Sequence, residues 1–264
     1  MTANNNNNHS RIEIPADKSL EDWITELLSE YSPVYVSEKI RAAIVPDILT
    51  PKTAPMFSEI FARLSLSINQ LKTDRIVLLS GIVNMSPSGL ILCPPAENPV
   101  FEKLLPSMDL LTACAMNPVF RETGVQDTVF MRHFEAVLPF VNRLFPDAEV
   151  LPLLADGTRD SKICKALKKL ALGKGDLLIA LASLSSGLSR TEASNKDAAI
   201  MASMLAQEDT VNISDTAYHN IINALSRYSL SRRLVPHIFK NNHVNPHENG
   251  RIRVNGYISV GYLM

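Results

Sequence analysis

Two stretches of this sequence, Arg75 to Val83 (RIVLLSGIV) and Asp176 to Ser183 (DLLIALAS), are almost wholly apolar over strand-like lengths. A strand with one wet face alternates polar and apolar side chains, so runs that do not alternate belong to strands buried on both sides. Such strands need a layer of helices above and another below. The chain offers those helices: Phe57 to Ile68, Val129 to Phe145, Lys162 to Leu172, Lys196 to Ala206 and Thr216 to Tyr228 carry apolar residues at helical spacing. Further β-like runs, Arg41 to Pro46, Val150 to Ala155 and Arg251 to Leu263, fall between or after them. This rhythm predicts an α/β fold of three layers: a central mixed, mostly parallel sheet with helices on both faces.

Local signals refine the outline. Pro139 inside the second helical pattern predicts a kink or an early end there. Ser214 is placed to cap the last helical pattern. Ser19, with Asp22 three residues on and Trp23, Leu27 and Leu28 behind it, predicts a capped amphipathic helix ending near Tyr31 to Pro33. Before it, residues 1–18, including the run Asn4 to Asn8, read as a flexible N-terminal segment too polar to offset its ordering entropy. No Gly-, Ser- or Pro-rich linker and no repeat divides residues 19–264, which therefore read as a single domain. In the terminal run, Ile252, Val254, Tyr257, Val260 and Leu263 are interleaved with polar residues and glycines, the pattern of a strand tied into the sheet.

Composition narrows the function classes. With 46% hydrophobic and 20% charged residues, the chain can bury a sizeable core without a cofactor to hold it together. A net charge of −1 and a pI near 6.6 create no field that gathers polyanions or anionic lipid. The local basic group Arg227, Arg232 and Arg233 adjoins an apolar helical pattern and reads as a solvated helix end, so neither nucleic acid nor membrane is an expected partner. Cys93, Cys114 and Cys164 are odd in number and without a CxxC pair, as expected of free thiols in a reducing cytoplasm. No run approaches the roughly 18 apolar residues of a membrane span.

Taken in order, several segments resemble the Memo family, whose fold is similar to that of the class III extradiol ring-cleaving dioxygenases. The match spans about Arg41 to Leu263. RAAIVPD, Arg41 to Asp47, resembles the family's first strand, which passes through a proline into a His-Ala-Gly turn; Asp47 stands at the histidine position. VLLSGIVN, Val77 to Asn84, resembles the strand whose end presents further histidines, with Val83 and Asn84 there instead. FMRHFEAVLPFVNRLFPDAEVLPLLADG, Phe130 to Gly157, is similar to the family's Glu-His-Ser stretch and following strand. Leu138, Pro139 and the acidic Glu135 match, whereas Met131, Arg132 and His133 replace the trio. LIALASLSSG, Leu178 to Gly187, resembles the strand that delivers Asp-Phe-x-His, with Ser183 and Ser186 at the aspartate and histidine positions. By the same register Ser214 replaces a cysteine, and GYISVGYL, Gly256 to Leu263, is like the terminal strand. The resemblance thus implies a retained scaffold with a degenerate metal site and a remnant cleft near Asp47, Asn84, Ser183 and Ser186.

The residue types at those positions can be weighed separately. A non-haem iron site needs two histidines and a carboxylate converging on one point, and Asn and Ser are poor substitutes. Asp47 reads as a ligand-bonding carboxylate, a turn residue or an N-cap. His133 and Glu135, two apart on a predicted helix, cannot both face one pocket, and Glu135 reads as bonded to backbone or a basic group. His237, His243 and His247 offer an alternative set for a divalent transition metal, but Asn245-Pro246 opposes a helix and predicts a surface loop. Ser183, Ser185 and Ser186 could serve as a nucleophile with His219 and Asp215, although no spacing ties them together, and a strand-to-loop polar turn is the simpler reading. Gly173-Lys174-Gly175 lacks a phosphate-loop context and reads as a helix-closing glycine. Met201 and Met204 read as packing residues.

Two functions follow as expectations. In the first, the protein is non-catalytic, needs no cofactor, and binds a small molecule or protein partner in the remnant cleft. In the second it is a divergent enzyme, either a non-haem metal-dependent oxidoreductase or a serine-dependent hydrolase.

Overall fold

The computed structural model describes residues 11–30, 39–68, 73–82, 89–92, 112, 114, 116–122, 132–156, 158–170, 172–173, 175–208, 218–245 and 253–264. The elements are α1 (Leu20–Glu30), β1 (Ile40–Val45), α2 (Ala54–Ile68), β2 (Arg75–Ile82), β3 (Gly89–Leu92), β4 (Phe120–Glu122) and α3 (Leu138–Leu144). After these come β5 (Glu149–Asp156), α4 (Asp160–Lys169), β6 (Asp176–Leu181), β7 (Ser183–Leu188), α5 (Arg190–Leu205), α6 (His219–Ser231), β8 (Val235–Val244) and β9 (Val254–Leu263).

The strands join in one mixed sheet of order β4-β3-β5-β2-β6-β1-β9-β7, with β8 on the other edge of β9. At its centre β5, β2, β6 and β1 run parallel. Both apolar runs occupy that centre, and their alternate side chains enter opposite cores. Val77, Leu79, Leu178 and Ala180 pack with Ile163 and Leu167 of α4 and Ile222 and Leu225 of α6. Ile76, Leu78, Leu177 and Ile179 pack with Ile24 of α1, Phe57 and Phe61 of α2 and Phe140 of α3. The α/β fold with a sheet between two helical layers is therefore as the sequence predicts. In the second core the rings of Phe57, Phe61 and Phe140 stack at 4.8–6.3 Å between centroids. Each such pair contributes about 1 kcal/mol beyond area burial.

Several local expectations shift. Helix α1 starts after Ser19, whose hydroxyl accepts from the Asp22 amide at 3.1 Å, as its spacing predicts. Pro139 does not end a helix but begins one: it lies in the first turn of α3, where its missing N–H costs nothing. Residues 133–137 before it form turns. Gly173 is not a helix cap either, since α4 closes on Leu170 in right-handed geometry, and the Gly173 amide donates to Asp176 Oδ2 at 2.5 Å. Ser214 lies outside the described residues, and α6 is preceded by Tyr218.

The largest correction concerns two polar segments. Ser183 to Leu188, read as a turn, is strand β7, and the late-histidine segment up to Val244, read as a surface loop, belongs to strand β8. Both are recruited by β9. One edge of β9 pairs with β1 through Val260–Leu263 and with β7 through Val254–Tyr257, while its other edge pairs with β8 over Asn255–Leu263. The Ala182 amide donates to Val45 O at 2.9 Å, so the chain crosses the end of β1 and takes β1's place beside β9. Backbone pairing along a strand bonded on both edges holds these polar sequences extended.

The expectation that order begins at Ser19 is also corrected. Ile12 bridges to Leu49 in parallel, Glu13 N donates to Leu49 O and Leu49 N donates to Arg11 O, each at 2.8 Å. Met204 is buried and Met201 packs against the core, as the packing reading expects. Arg227 pairs with Asp160 at 3.3 Å, Arg232 lies over the Tyr228 ring, and Arg232 and Arg233 are exposed at the end of α6. Among the described residues, no helix is long and apolar enough to cross a membrane.

Candidate functional site

Asp47 follows β1 by two residues, at the carboxyl end of a central strand, where open α/β sheets bind ligands. It keeps only 7% of its exposure. A carboxylate there needs partners, and two distant segments provide them. Tyr218, just before α6, donates its hydroxyl to Asp47 Oδ2 at 2.6 Å. Arg11, held beside Leu49 by the N-terminal strap, donates Nη1 to the same oxygen, to the Asp47 carbonyl at 3.3 Å and to the Tyr218 hydroxyl at 3.3 Å. Its Nη2 lies 3.4 Å from His133 Nδ1. Asp47 Oδ1 is buried and has no hydrogen-bond partner among the described residues.

Electrostatics follow from that packing. Burial pulls Arg11 down, yet Tyr218 and Asp47 outweigh it and hold the guanidinium protonated. His133 is pushed down to about 4, first by burial and then by Arg11, so it is neutral near pH 7 and can accept from the guanidinium. The Tyr218 phenol is raised well beyond its ordinary range by burial and by Asp47, so it stays a donor. Nearby, Tyr257 is raised for the same two reasons. The centre is a cation and a carboxylate in direct contact, flanked by a neutral phenol and a neutral imidazole.

Three of the sequence-nominated residues therefore meet here. His133 faces the Arg11 guanidinium, whereas Glu135 Oε2 accepts from the Arg11 main-chain amide at 3.4 Å, the backbone bonding expected of it. They sit in turns, where the helical spacing rule does not apply. Ser183 is buried opposite Tyr257 in the sheet, and Ser186 is exposed on β7. Asn84, Ser214 and His247 lie outside the described residues. Arg11 and Tyr218 were missed. Gly81 in β2 makes room for the Tyr218 ring, since an added Cβ would lie 3.0 Å from it.

His237 and His243 do not meet. His237 is exposed and packs against the Phe239 ring, whereas His243 Nε2 lies 3.0 Å from Asp197 Oδ2 without the alignment of a hydrogen bond. Among the described residues no group of three or more His, Cys, Asp or Glu is placed to hold a metal ion. Asp197, 2% exposed, sits over Gly256 of β9, whose strand neighbours are Ser185 and His243. Burial raises the Asp197 carboxyl against the opposing pull of Ser185 and His243. Here a serine, an aspartate and a histidine come together, but the aspartate lies between the other two, so the imidazole is not placed to take the hydroxyl proton. Cys114 and Cys164 are buried free thiols, and burial pushes Cys114 up to about 12, which leaves it unreactive.

The chain matches no family model, and no curated protein matches it significantly.

Proposed function

We propose that this chain is a Memo-like protein with a degenerate metal site, acting without catalysis by binding a small molecule or protein partner at the remnant cleft. The observation that carries this reading is the occupant of Asp47. An iron centre needs lone pairs free for a divalent cation and open positions for its reactants. Here Asp47 Oδ2 accepts from both Arg11 and Tyr218, and His133 Nδ1 faces the same guanidinium. A fixed positive charge at that point opposes a second cation. The replacement of family ligands by Asp47, Asn84, Ser183, Ser186 and Ser214 supports the same reading.

The test is equilibrium titration of the purified protein with iron(II), zinc(II) and copper(II), alongside Asp47→Ala and Ser183→Ala. No stoichiometric metal should bind, and neither substitution should change metal content or turnover. Stoichiometric metal lost on Asp47→Ala, or a turnover abolished by either substitution at unchanged Tm, would replace this reading with a metal-dependent oxidoreductase or a serine hydrolase.

A further inference from the structure

The geometry points to the Asp47–Tyr218–His133 cage as a recognition site for a small monosubstituted guanidinium ligand, with Arg11 occupying it in cis as a displaceable plug. The inference rests on reading Asp47 as a site for an organic cation rather than a metal. The cage offers what a guanidinium needs: a buried carboxylate, the Asp47 carbonyl, a phenolic oxygen and a neutral imidazole nitrogen, distributed over two of its nitrogens.

The present occupant fits this cage incompletely. Arginine and a carboxylate pair best in a fork, two parallel N–H···O bonds to both oxygens. Arg11 instead places Nη1 on Oδ2, which Tyr218 also uses, and leaves the buried Oδ1 without a partner among the described residues. The strap sets that geometry, because the Arg11 carbonyl and the Glu13 amide are both bonded to Leu49 and the Arg11 amide to Glu135. A free ligand is not tethered, so it can turn and satisfy both oxygens. An unpaired buried acceptor is costly, and its rescue favours exchange of plug for ligand.

Among the described residues, Arg11 to Glu13 form no helix or strand of their own, and their main-chain contacts with the body include two bonds to Leu49 and that of the Arg11 amide with Glu135. A short tether gives Arg11 an effective concentration on the order of millimolar, so the competing ligand acts in that range.

The test uses the full chain with methylguanidinium chloride as probe and tetramethylammonium chloride as the ionic control. In the unsubstituted protein, displacement frees the Leu49 amide, whose hydrogen exchange should speed up severalfold and saturate with methylguanidinium only. Arg11→Ala should bind the probe at a concentration about tenfold lower, and Arg11→Ala with Asp47→Asn should not bind it. Unchanged Leu49 exchange in the unsubstituted protein would make Arg11 a permanent structural residue and overturn the inference, as would Arg11→Ala that binds no probe. If Arg11→Ala does not fold, the Leu49 measurement decides alone. Stoichiometric metal in the unsubstituted protein would overturn the non-catalytic reading as well, whereas neither metal nor probe binding would overturn only the plug.

Discussion

Tyr218 and Asp47, 171 residues apart in sequence, share a hydrogen bond of 2.6 Å in which the phenol donates to Oδ2 of a buried carboxylate. With Arg11 on the same oxygen, this bond closes the carboxyl end of β1 and joins three segments that no local signal connects. Tyr218→Phe keeps the ring against Gly81 and removes only the donor. It should cost about 1–3 kcal/mol in urea unfolding, the range for a buried charge-assisted hydrogen bond. A loss below a few tenths of a kcal/mol would show that Arg11 alone satisfies Asp47.

His133 makes stability depend on pH. Its folded value near 4 lies below the ordinary 6.5, first because of burial and then because of Arg11. The unfolded chain therefore takes up a proton that the folded chain refuses, so the contribution is present above about pH 6.5 and is lost as pH falls toward about 4. The loss is on the order of 3 kcal/mol at most. His133→Gln should remove this component from the stability profile between those values, and a proton NMR titration should show the imidazole still neutral at pH 5.

Gly256 leaves room for a carboxylate. A Cβ at that position would fall 1.7 Å from Asp197 Oδ2 and 2.8 Å from Ser185 Oγ. Gly256→Ala should destabilise by about 1–3 kcal/mol or more through overpacking. In a double-mutant cycle Asp197→Ala should recover part of that loss, because it removes the obstructing atoms. Additive effects would place the strain elsewhere.

Strand β9 holds the C-terminal half of the sheet. It pairs with β1, β7 and β8, and Ile258 and Val260 are fully buried. A chain truncated before residue 252 should not fold cooperatively, since β7 and β8 lose the strand they pair with. A soluble truncated chain with a single sharp thermal transition would contradict this.

The layered core is legible from the residues alone. Val77, Leu79, Ile76 and Leu78 are apolar whichever way they point, so a strand made of them is buried on both faces in any arrangement, and the helical spacings around it dictate what covers it. The segment Ser183 to Leu188 and the segment Val235 to Val244 were illegible for the opposite reason. Their polar residues carry no strand pattern, and they are strands because β9 and Ala182 bring a pairing partner alongside. Asp47 could be nominated through the family resemblance of RAAIVPD, but its charge partners could not: Arg11 sits in a segment that reads as flexible, and Tyr218 precedes a helix whose pattern marks only its buried face. Long-range pairing decided that site. A buried carboxylate recruits its donors by distance in space, and distance in space between residues 11, 47, 133 and 218 is set by the packed sheet and not by any spacing along the chain.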